Sequence, residues 1–368
     1  MPRTRPPFRA DHVGSLLRSA PLKGAREQRD QGQITPDQLR TVEDQEIEKI
    51  IRKQEEIGLK LATDGEYRRA VWSVDFFEHL QGVQGYIAEQ GVQFQGVMST
   101  PRSFRIVGKI GFKGHPMLDH FGFLKAHARG IPKMTIPSPS VMHFRYGSDA
   151  LKPIYPDLDV FFSDLAATYK AAVRAFYDAG CRYLQLDDTV WAYLCSQDQL
   201  AQSRARGDDP DRLQERYART INQALEGRPS DLTVTMHACR GNFRSAWISE
   251  GGYEPVAESL FNAVNVDGYF LEYDTERAGG FEPLRFLPKG HKVVVLGLIT
   301  SKSGTLEKED DVKRRIDEAT KFAPLDQLAL SPQCGFASTE EGNIIAEDEQ
   351  WAKLRMIVKI AEEIWGES

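Results

Sequence analysis

The stretch Tyr183-Leu-Gln-Leu-Asp187 decides the fold, because it is a short apolar segment held between two helical patterns. The preceding pattern carries apolar residues at helical spacing and ends at Gly180. The following helix opens at Asp209-Pro210 and leads into another strand-like run, Leu232–Met236. A strand, a helix and a second strand in succession predict a right-handed βαβ unit with parallel strands.

The same alternation extends in both directions from this unit. Upstream, Thr35-Pro-Asp-Gln38 is a capping-box sequence that predicts the start of a long helix. Strands are predicted at Asp11–Gly14, Leu59–Asp64, Met134–Met142, Tyr183–Asp187, Leu232–Met236, Gly268–Glu272, Lys292–Leu298 and Leu328–Ser331. Eight such strands favour a closed (β/α)8 TIM barrel over an open sheet. No G-x-G-x-x-G follows any strand, which argues against a dinucleotide-binding sheet.

One stretch, Val83–Phe112, departs from the alternation. Its glycine-punctuated, alternating pattern predicts a β-hairpin inserted after the second strand. We therefore expect one domain over residues 1–368, with the hairpin at about 83–112.

Composition excludes several classes of protein. Hydrophobic residues make up 41% and charged residues 27% of the chain, as in ordinary globular proteins. The net charge of −6 argues against a nucleic-acid partner. The longest clean apolar run, Val293–Ile299, is far shorter than a membrane span. The basic N-terminus has no apolar segment behind it, so we expect no secretory signal, no membrane partner and a cytoplasmic location.

Potential metal ligands follow three of the predicted strands. The fifth strand ends in His237-Ala-Cys239, the sixth in Glu272, and the eighth is followed by Cys334. In a barrel these ends meet at one mouth, and in a strand His237 and Cys239 point to the same side. Nitrogen, sulfur and carboxylate donors of this kind suit Zn2+. The remaining cysteines, Cys181 and Cys195, are expected to be core residues and not ligands.

Polar residues also follow the first, second and fourth strands. They are Ser15 in His12-Val-Gly-Ser15, Glu66 in Asp64-Gly-Glu66, and Asp187. Several acids around one mouth would suit a substrate that carries an ammonium group.

Taken in order, these motifs resemble the catalytic C-terminal barrel of cobalamin-independent methionine synthase and its short single-barrel relatives. The resemblance covers most of the chain, from His12 to Cys334-Gly335. It implies that His237, Cys239, Glu272 and Cys334 hold zinc, and that Ser15, Glu66 and Asp187 hold the amino acid part of homocysteine. Asp187 is also our candidate catalytic residue. The implied reaction transfers a methyl group to homocysteine to give methionine, from a small methylated donor or a methylated corrinoid protein.

The long enzymes of this family carry a separate N-terminal barrel. The chain differs from them in the residues expected to contact the methyl donor. Their histidine after the seventh strand has no counterpart in Gly297–Lys302, and no tryptophan occurs in Pro139–Phe144 after the third strand. We therefore expect methyltetrahydrofolate to be a poor donor, with His12, His143 or Lys302 as the alternatives for a proton donor. Two other functions stay open: transfer of another electrophile to a different thiol, as in epoxyalkane:coenzyme M transferase, and a non-catalytic zinc or thiol sensor.

Overall fold

The structure is a computed structural model that describes residues 3–368. Its strands are β1 (Leu61–Ala62), β2 (Gln81–Ile87), β3 (Gln93–Phe94), β4 (Val97–Met98), β5 (Arg102–Gly111), β6 (Ile131–Pro137), β7 (Tyr183–Asp188), β8 (Thr233–Ala238), β9 (Gly268–Glu272), β10 (Val293–Ile299) and β11 (Leu328–Pro332). Seven of these strands form one parallel sheet in the order β1-β6-β7-β8-β9-β10-β11.

Helices connect the strands of this sheet. They are α1 (Ala20–Asp30), α2 (Pro36–Glu56), α3 (Val74–Phe77), α4 (Met117–His127), α5 (Pro139–Tyr146), α6 (Ser148–Leu151), α7 (Leu158–Asp178), α8 (Val190–Tyr193), α9 (Gln197–Ala205), α10 (Pro210–Leu225), α11 (Glu254–Ala263), α12 (Glu309–Thr320) and α13 (Glu347–Trp365). Short 3-10 helices lie at Glu276–Ala278, Glu282–Phe286 and Leu325–Gln327. In the described chain, no helix combines the length and the apolar character that a membrane crossing needs.

Local sequence signals place two of the helices. Helix α2 begins with the predicted capping box, in which Thr35 Oγ1 accepts from Gln38 N at 3.2 Å and Gln38 Oε1 accepts from Thr35 N at 2.8 Å. Helix α10 begins after Asp209, whose side chain accepts from Asp211 N. These contacts satisfy amide groups that have no partner inside a helix.

The sheet curls, in an arrangement consistent with a TIM-like barrel. Its strands β7 to β11 are buried along their whole lengths, as expected where helices cover one face and the barrel interior fills the other. The gap between the edge strands is spanned by residues 9–16. Asp11 N donates to Leu330 O of β11 at 3.1 Å, and Leu16 N donates to Gly65 O, beyond β1, at 3.0 Å.

The first predicted strand, Asp11–Gly14, was wrong. Only Ala10 makes a parallel bridge, to Leu330, and no strand forms there. Asp11 instead uses its carboxylate to accept from the backbone amides of Phe8 and His12, at 3.2 and 2.8 Å. Gly14 has a φ of 143°, outside the strand region.

The predicted strand Met134–Met142 was too long at its C-terminal end. Strand β6 ends at Pro137, and α5 begins at Pro139 with Ser138 at its N-cap. Proline at the first helical position favours this boundary.

The stretch predicted as a hairpin insertion contains two antiparallel pairs. Strand β2 pairs with β5, and the short strands β3 and β4 pair between them. The segment contacts the loops after β8 and β11, since Gln95 N donates to Trp247 O and Thr100 Oγ1 donates to Glu341 Oε1. Its status as an insertion into a barrel stays a prediction.

Candidate functional site

Four potential metal ligands meet at the C-terminal ends of the strands. His237 lies in β8 with Cys239 just after it, Glu272 ends β9, and Cys334 follows β11. One ligand atom from each of the four lies within 4.8 Å of the others, and all four residues are buried. His237 Nε2 lies 3.4 Å from Cys334 Sγ, which is 3.4 Å from Cys239 Sγ. The structure thus brings together all four predicted ligands.

Backbone groups orient these side chains. His237 Nδ1 lies 3.2 Å from Phe270 O, so Nε2 is left to face the thiols. Gly241 N donates to Cys239 Sγ at 3.3 Å, and Arg240 N donates to Glu272 Oε1 at 2.7 Å. Contacts of this outer kind commonly fix the orientation of metal ligands.

Electrostatics in this cluster favours the ionised form of one of the two thiols, that of Cys334. The hydrogen bond from Cys239, with the charge of His237, holds the pKa of the Cys334 thiol well below its usual range. The same hydrogen bond, with burial, raises the pKa of Cys239 well above its usual range, so the two thiols share one proton. Burial alone lowers the pKa of His237, but Cys334, Asp187 and Glu272 outweigh burial and raise that pKa to about 9.

The donor set and its spacing fit zinc. Ligands held about 2.0–2.3 Å from one tetrahedral ion lie roughly 3.3–3.8 Å from one another. The two contacts of 3.4 Å that Cys334 makes, to His237 and Cys239, agree with that spacing. Glu272 is fully buried, and burial raises the pKa of its carboxyl. A cation beside it would therefore offset the free-energy cost of burying the ionised carboxylate.

The other two cysteines lie outside this cluster. Cys181 Sγ donates to Tyr183 O at 3.3 Å, at the start of β7, which is the opposite end of the strands. Cys195 Sγ donates to Trp191 O at 3.4 Å. Among the described residues, neither belongs to a group that could hold a metal ion.

The three predicted substrate residues line one cavity with three of the ligands. Ser15, Glu66 and Asp187 share this cavity with His237, Cys239 and Cys334. The predicted amino acid pocket and the predicted metal site are therefore adjacent.

Neighbouring side chains hold the two acids of this pocket. Thr135 Oγ1 donates to Glu66 Oε1 at 2.7 Å, and Arg69 forms an ion pair with Glu66. Gln185 Nε2 donates to Asp187 Oδ1 at 2.7 Å. Glu66 itself has a φ of 59°, a left-handed conformation that costs free energy for a residue with a side chain.

Asp187 is poised to titrate near neutral pH. Burial, followed by the charge of Glu66, raises the pKa of Asp187 to about 7. A cationic group placed between the two carboxylates would favour their ionised forms.

Gly335 lets the first loop approach the loop after β11 closely. A Cβ at Gly335 would lie 1.9 Å from Ser15 Oγ, so a larger residue there would displace the Ser15 hydroxyl. Ser15 Oγ in turn accepts from Ala337 N at 3.3 Å.

The outer part of the cavity contains residues that the sequence analysis did not single out. Trp72, Phe94 and Phe243 form apolar walls, and Arg102 and Arg145 add guanidinium groups. No tryptophan follows the third strand, but Trp72 reaches the cavity from the loop after β1. A tryptophan in the Asp64–Trp72 loop was visible in the sequence, but nothing in the pattern indicated its direction.

Two of the three alternative proton donors lie elsewhere. His12 bonds with Gln54, and burial, with Lys133, lowers the pKa of His12 to about 3. His143 bonds with Tyr217 and Ser148, and burial lowers its pKa to about 4. Lys302 lies beside the metal-ligand cluster, where its Nζ donates to Asn242 Oδ1 at 2.9 Å.

Comparisons with known proteins agree on one family. The profile of the family described as the catalytic domain of cobalamin-independent synthase matches residues 155–363. The Bacillus subtilis protein YxjG is 54% identical over 99% of this chain and 96% of its own length.

Solved structures give the same picture. A candidate vitamin-B12-independent methionine synthase from Listeria monocytogenes is 46% identical, with a TM-score of 0.80 over 99% of this chain and all of that one. A B12-independent methionine synthase from Shewanella, in complex with selenomethionine, is 18% identical, with a TM-score of 0.73 over 97% of this chain and 98% of that one. This second likeness shows the fold.

Proposed function

The chain belongs to the family of cobalamin-independent methionine synthase catalytic domains, and on that premise we propose that it is a zinc-dependent methyltransferase that converts homocysteine to methionine. The observation that carries the proposal is the meeting of His237, Cys239, Glu272 and Cys334 beside a cavity that carries two acids. A single barrel domain over residues 1–368, with the β2–β5 segment as its insertion, is part of the same proposal.

The four clustered residues would hold the zinc ion. When bound, zinc lowers the pKa of a thiol enough for a substrate thiol to be a thiolate at neutral pH. The chain's own ligands, two thiolates, a carboxylate and an imidazole, supply more negative charge than the ion has positive charge. Because such a donor set donates electrons strongly, it favours a nucleophilic sulfur over hydrolysis by bound water.

The acids would position the amino acid. Asp187 and Glu66 would receive the ammonium group of homocysteine, and Ser15 would contact its amino acid end. Gln185 and Thr135 keep the two carboxylates in place, so substrate binding requires little reordering of them. Asp187 is then a catalytic residue in the sense that it fixes the substrate for attack on the methyl carbon.

The first experiment tests metal and alkylation together. Protein purified without chelator should carry about one zinc per chain and should accelerate methylation of homocysteine by iodomethane, a neutral methyl source. Cys334→Ser should lose both properties. Cys181→Ser is the matched control, because Cys181 lies at the far end of β7. Absence of zinc from the parent protein, or unaltered zinc in Cys334→Ser, would contradict the proposal.

The methyl donor is a separate question. A proton donor in place of the missing histidine would be worth about 10²–10⁴ in rate to a folate leaving group. The low rate expected with methyltetrahydrofolate therefore stays a prediction, to be measured against methylcobalamin at matched concentration.

A further inference from the structure

The loops that follow β8, β10 and β11 meet at one buried asparagine. Asn242 lies three residues after Cys239 and is 5% exposed. Its Oδ1 accepts from Lys302 Nζ at 2.9 Å, and its Nδ2 donates to Gly335 O at 2.7 Å. The same Nδ2 donates to Ser338 Oγ at 3.2 Å. Both polar atoms of this side chain therefore have partners, and the partners lie on the other two loops.

The chemistry of the partners fixes the direction in which the amide faces. The ammonium group of Lys302 can only donate a hydrogen bond, and the carbonyl of Gly335 can only accept one. The oxygen of Asn242 must therefore face Lys302, and its nitrogen must face Gly335. A side chain that lacks either the donor or the acceptor could not make both contacts.

On one side, these contacts lead to the sulfur of Cys239. Lys302 Nζ also donates to Gly241 O at 3.3 Å, and Gly241 N donates to Cys239 Sγ at 3.3 Å. Gly241 has a φ of 97°, and a Cβ there would lie 2.9 Å from Ile248 N. The turn that brings the Gly241 amide to the sulfur therefore depends on a glycine conformation, and Lys302 holds the carbonyl of the same residue.

On the other side, the contacts lead to Cys334. Gly335, whose carbonyl accepts from Asn242, directly follows Cys334 in the chain. Ser338 Oγ, the second acceptor of Asn242, lies 4.0 Å from Cys334 Sγ. Asn242 thus belongs to the loop of one clustered cysteine and bonds to the loop of the other.

We propose that Asn242, oriented by Lys302, is a positioning residue that holds Cys239 and Cys334 at the spacing zinc needs before the ion binds. This inference rests on the proposed function, because it takes both cysteines as zinc ligands. Their sulfur atoms lie 3.4 Å apart. Without such a contact, binding the ion would also have to order the two loops, and the free energy of ordering would be lost from the affinity. The role of Lys302 in this arrangement requires no proton transfer.

The affinity of the full chain for zinc tests the inference. We would measure it by competition with a chromophoric chelator, and would record the absorption spectrum of the Co2+-substituted protein, which reports thiolate ligation. Asn242→Leu keeps the branched shape and the net charge, but it can neither donate nor accept a hydrogen bond. Loss of a group that orients a metal ligand typically weakens metal binding by about 10- to 100-fold. We expect a loss of that size and a changed Co2+ spectrum.

Asn343→Leu is the matched control. Asn343 is also buried, its Oδ1 accepts from Ser245 N at 3.0 Å, and its Nδ2 donates to Ser301 O at 2.8 Å. It joins the same three loops, but neither of these partners lies next to a clustered cysteine in the chain. Asn343→Leu should therefore bind zinc as the parent does and give the parent's Co2+ spectrum, whatever its effect on stability.

Unchanged zinc affinity in Asn242→Leu would overturn the inference. An equal loss in Asn343→Leu would also overturn it, because the loss would then follow from any disturbance of these loops.

A second measurement needs no variant. If Asn242 holds the two loops, the amides of residues 239–243 and 333–338 should stay protected from hydrogen exchange when zinc is removed from the parent. Exchange of both segments at the rate of an unstructured chain would show that the ion itself orders the loops, and would contradict the inference.

The two proposals fail in different ways. A parent protein that binds no zinc contradicts both. A parent that binds zinc and accelerates methylation of homocysteine by iodomethane, but tolerates Asn242→Leu without loss of zinc affinity, contradicts this inference alone.

Discussion

Two buried polar clusters lie at opposite ends of the same parallel sheet, and they differ in how their charges are balanced. At the start of β6 and β7, Lys133 Nζ donates to Asp11 Oδ1 at 3.0 Å, and Tyr183 Oη donates to Asp11 Oδ2 at 2.8 Å. At the other end, Cys334 faces His237 and Cys239, with the buried Glu272 beside them.

The first cluster is complete within the chain. Asp11 also accepts from the amides of Phe8 and His12, and the Lys133 ammonium lies 4.1 Å from the ring centre of Phe270. Opposite charges are paired and the carboxylate has a full set of donors, so the cluster is structural.

In the second cluster, no side-chain cation of the described residues forms a hydrogen bond with the buried carboxylate of Glu272. Its nearest guanidinium, that of Arg277, lies 3.7 Å from Glu272 Oε2, longer than a hydrogen bond. Two thiols and an imidazole nitrogen face one another across 3.4 Å. Burial is the same in both places, so burial alone does not identify a functional site. A buried carboxylate with no hydrogen-bonded cation, beside two thiols that face each other, does.

The largest expected effect comes from removing the lysine of the first cluster. Lys133→Met leaves the Asp11 carboxylate buried without its partner, and a broken buried pair typically costs about 3–5 kcal/mol. We expect the free energy of unfolding, measured with urea, to fall by about that amount, while zinc content per folded chain stays unchanged.

The double variant Asp11→Asn with Lys133→Met sharpens this test. It removes the charge as well as its partner, so it should recover part of the lost stability. A loss below about 1 kcal/mol in the single variant would show that the Asp11–Lys133 pair does not differ from an exposed ion pair.

The next largest effect is expected at the acids that are proposed to bind the substrate, beside the metal-ligand cluster. Asp187→Asn should weaken homocysteine binding by about 10- to 150-fold, which is the worth of one charge-assisted hydrogen bond. Zinc content should not change, because Asp187 is not among the four clustered ligands. Equal affinity of variant and parent would contradict the proposed amino acid pocket.

The pH dependence of that affinity follows from the raised pKa. Burial, with Glu66, raises the pKa of Asp187 to about 7, so below that pH the carboxyl is neutral and cannot pair with an ammonium group. Because ammonium binds the ionised form, homocysteine affinity should rise as pH increases through 7. Below pH 7 the affinity should rise by up to tenfold for each unit of pH, and above pH 7 it should level off. Calorimetry from pH 6 to 8 should give a flatter profile for Asp187→Asn.

The sequence predicted the core of the candidate site because its residues follow strand ends. In a curled parallel sheet those ends meet, so the alternation of strands and helices already placed His237, Cys239 and Glu272 together. The same reasoning failed at Asp11–Gly14, where side-chain hydrogen bonds to loop amides replaced a sheet ladder.

The outer part of the cavity could not be predicted in the same way. Trp72 and Arg145 lie several residues beyond their strands, on a loop and a helix whose directions depend on packing. Nothing local in the sequence shows that Phe94 meets Phe243, because the pair joins segments about 150 residues apart.

The smallest effect is expected at the two cysteines outside the metal-ligand cluster. Burial raises the pKa of the Cys181 thiol to about 12, and its Sγ–H already donates to Tyr183 O. A thiol of that kind is a poor nucleophile and a poor metal ligand at neutral pH. Cys181→Ser should therefore leave zinc content and homocysteine affinity unchanged, although burying a hydroxyl can lower stability by about 1–3 kcal/mol. Cys195→Ser should behave likewise, since burial raises the pKa of Cys195 to about 12 as well. Zinc analysis of both variants beside Cys334→Ser separates thiols that are merely buried from those that lie in the metal-ligand cluster. If Cys181→Ser or Cys195→Ser stays folded but loses zinc, the assignment of Cys239 and Cys334 as the ligand cysteines would be contradicted.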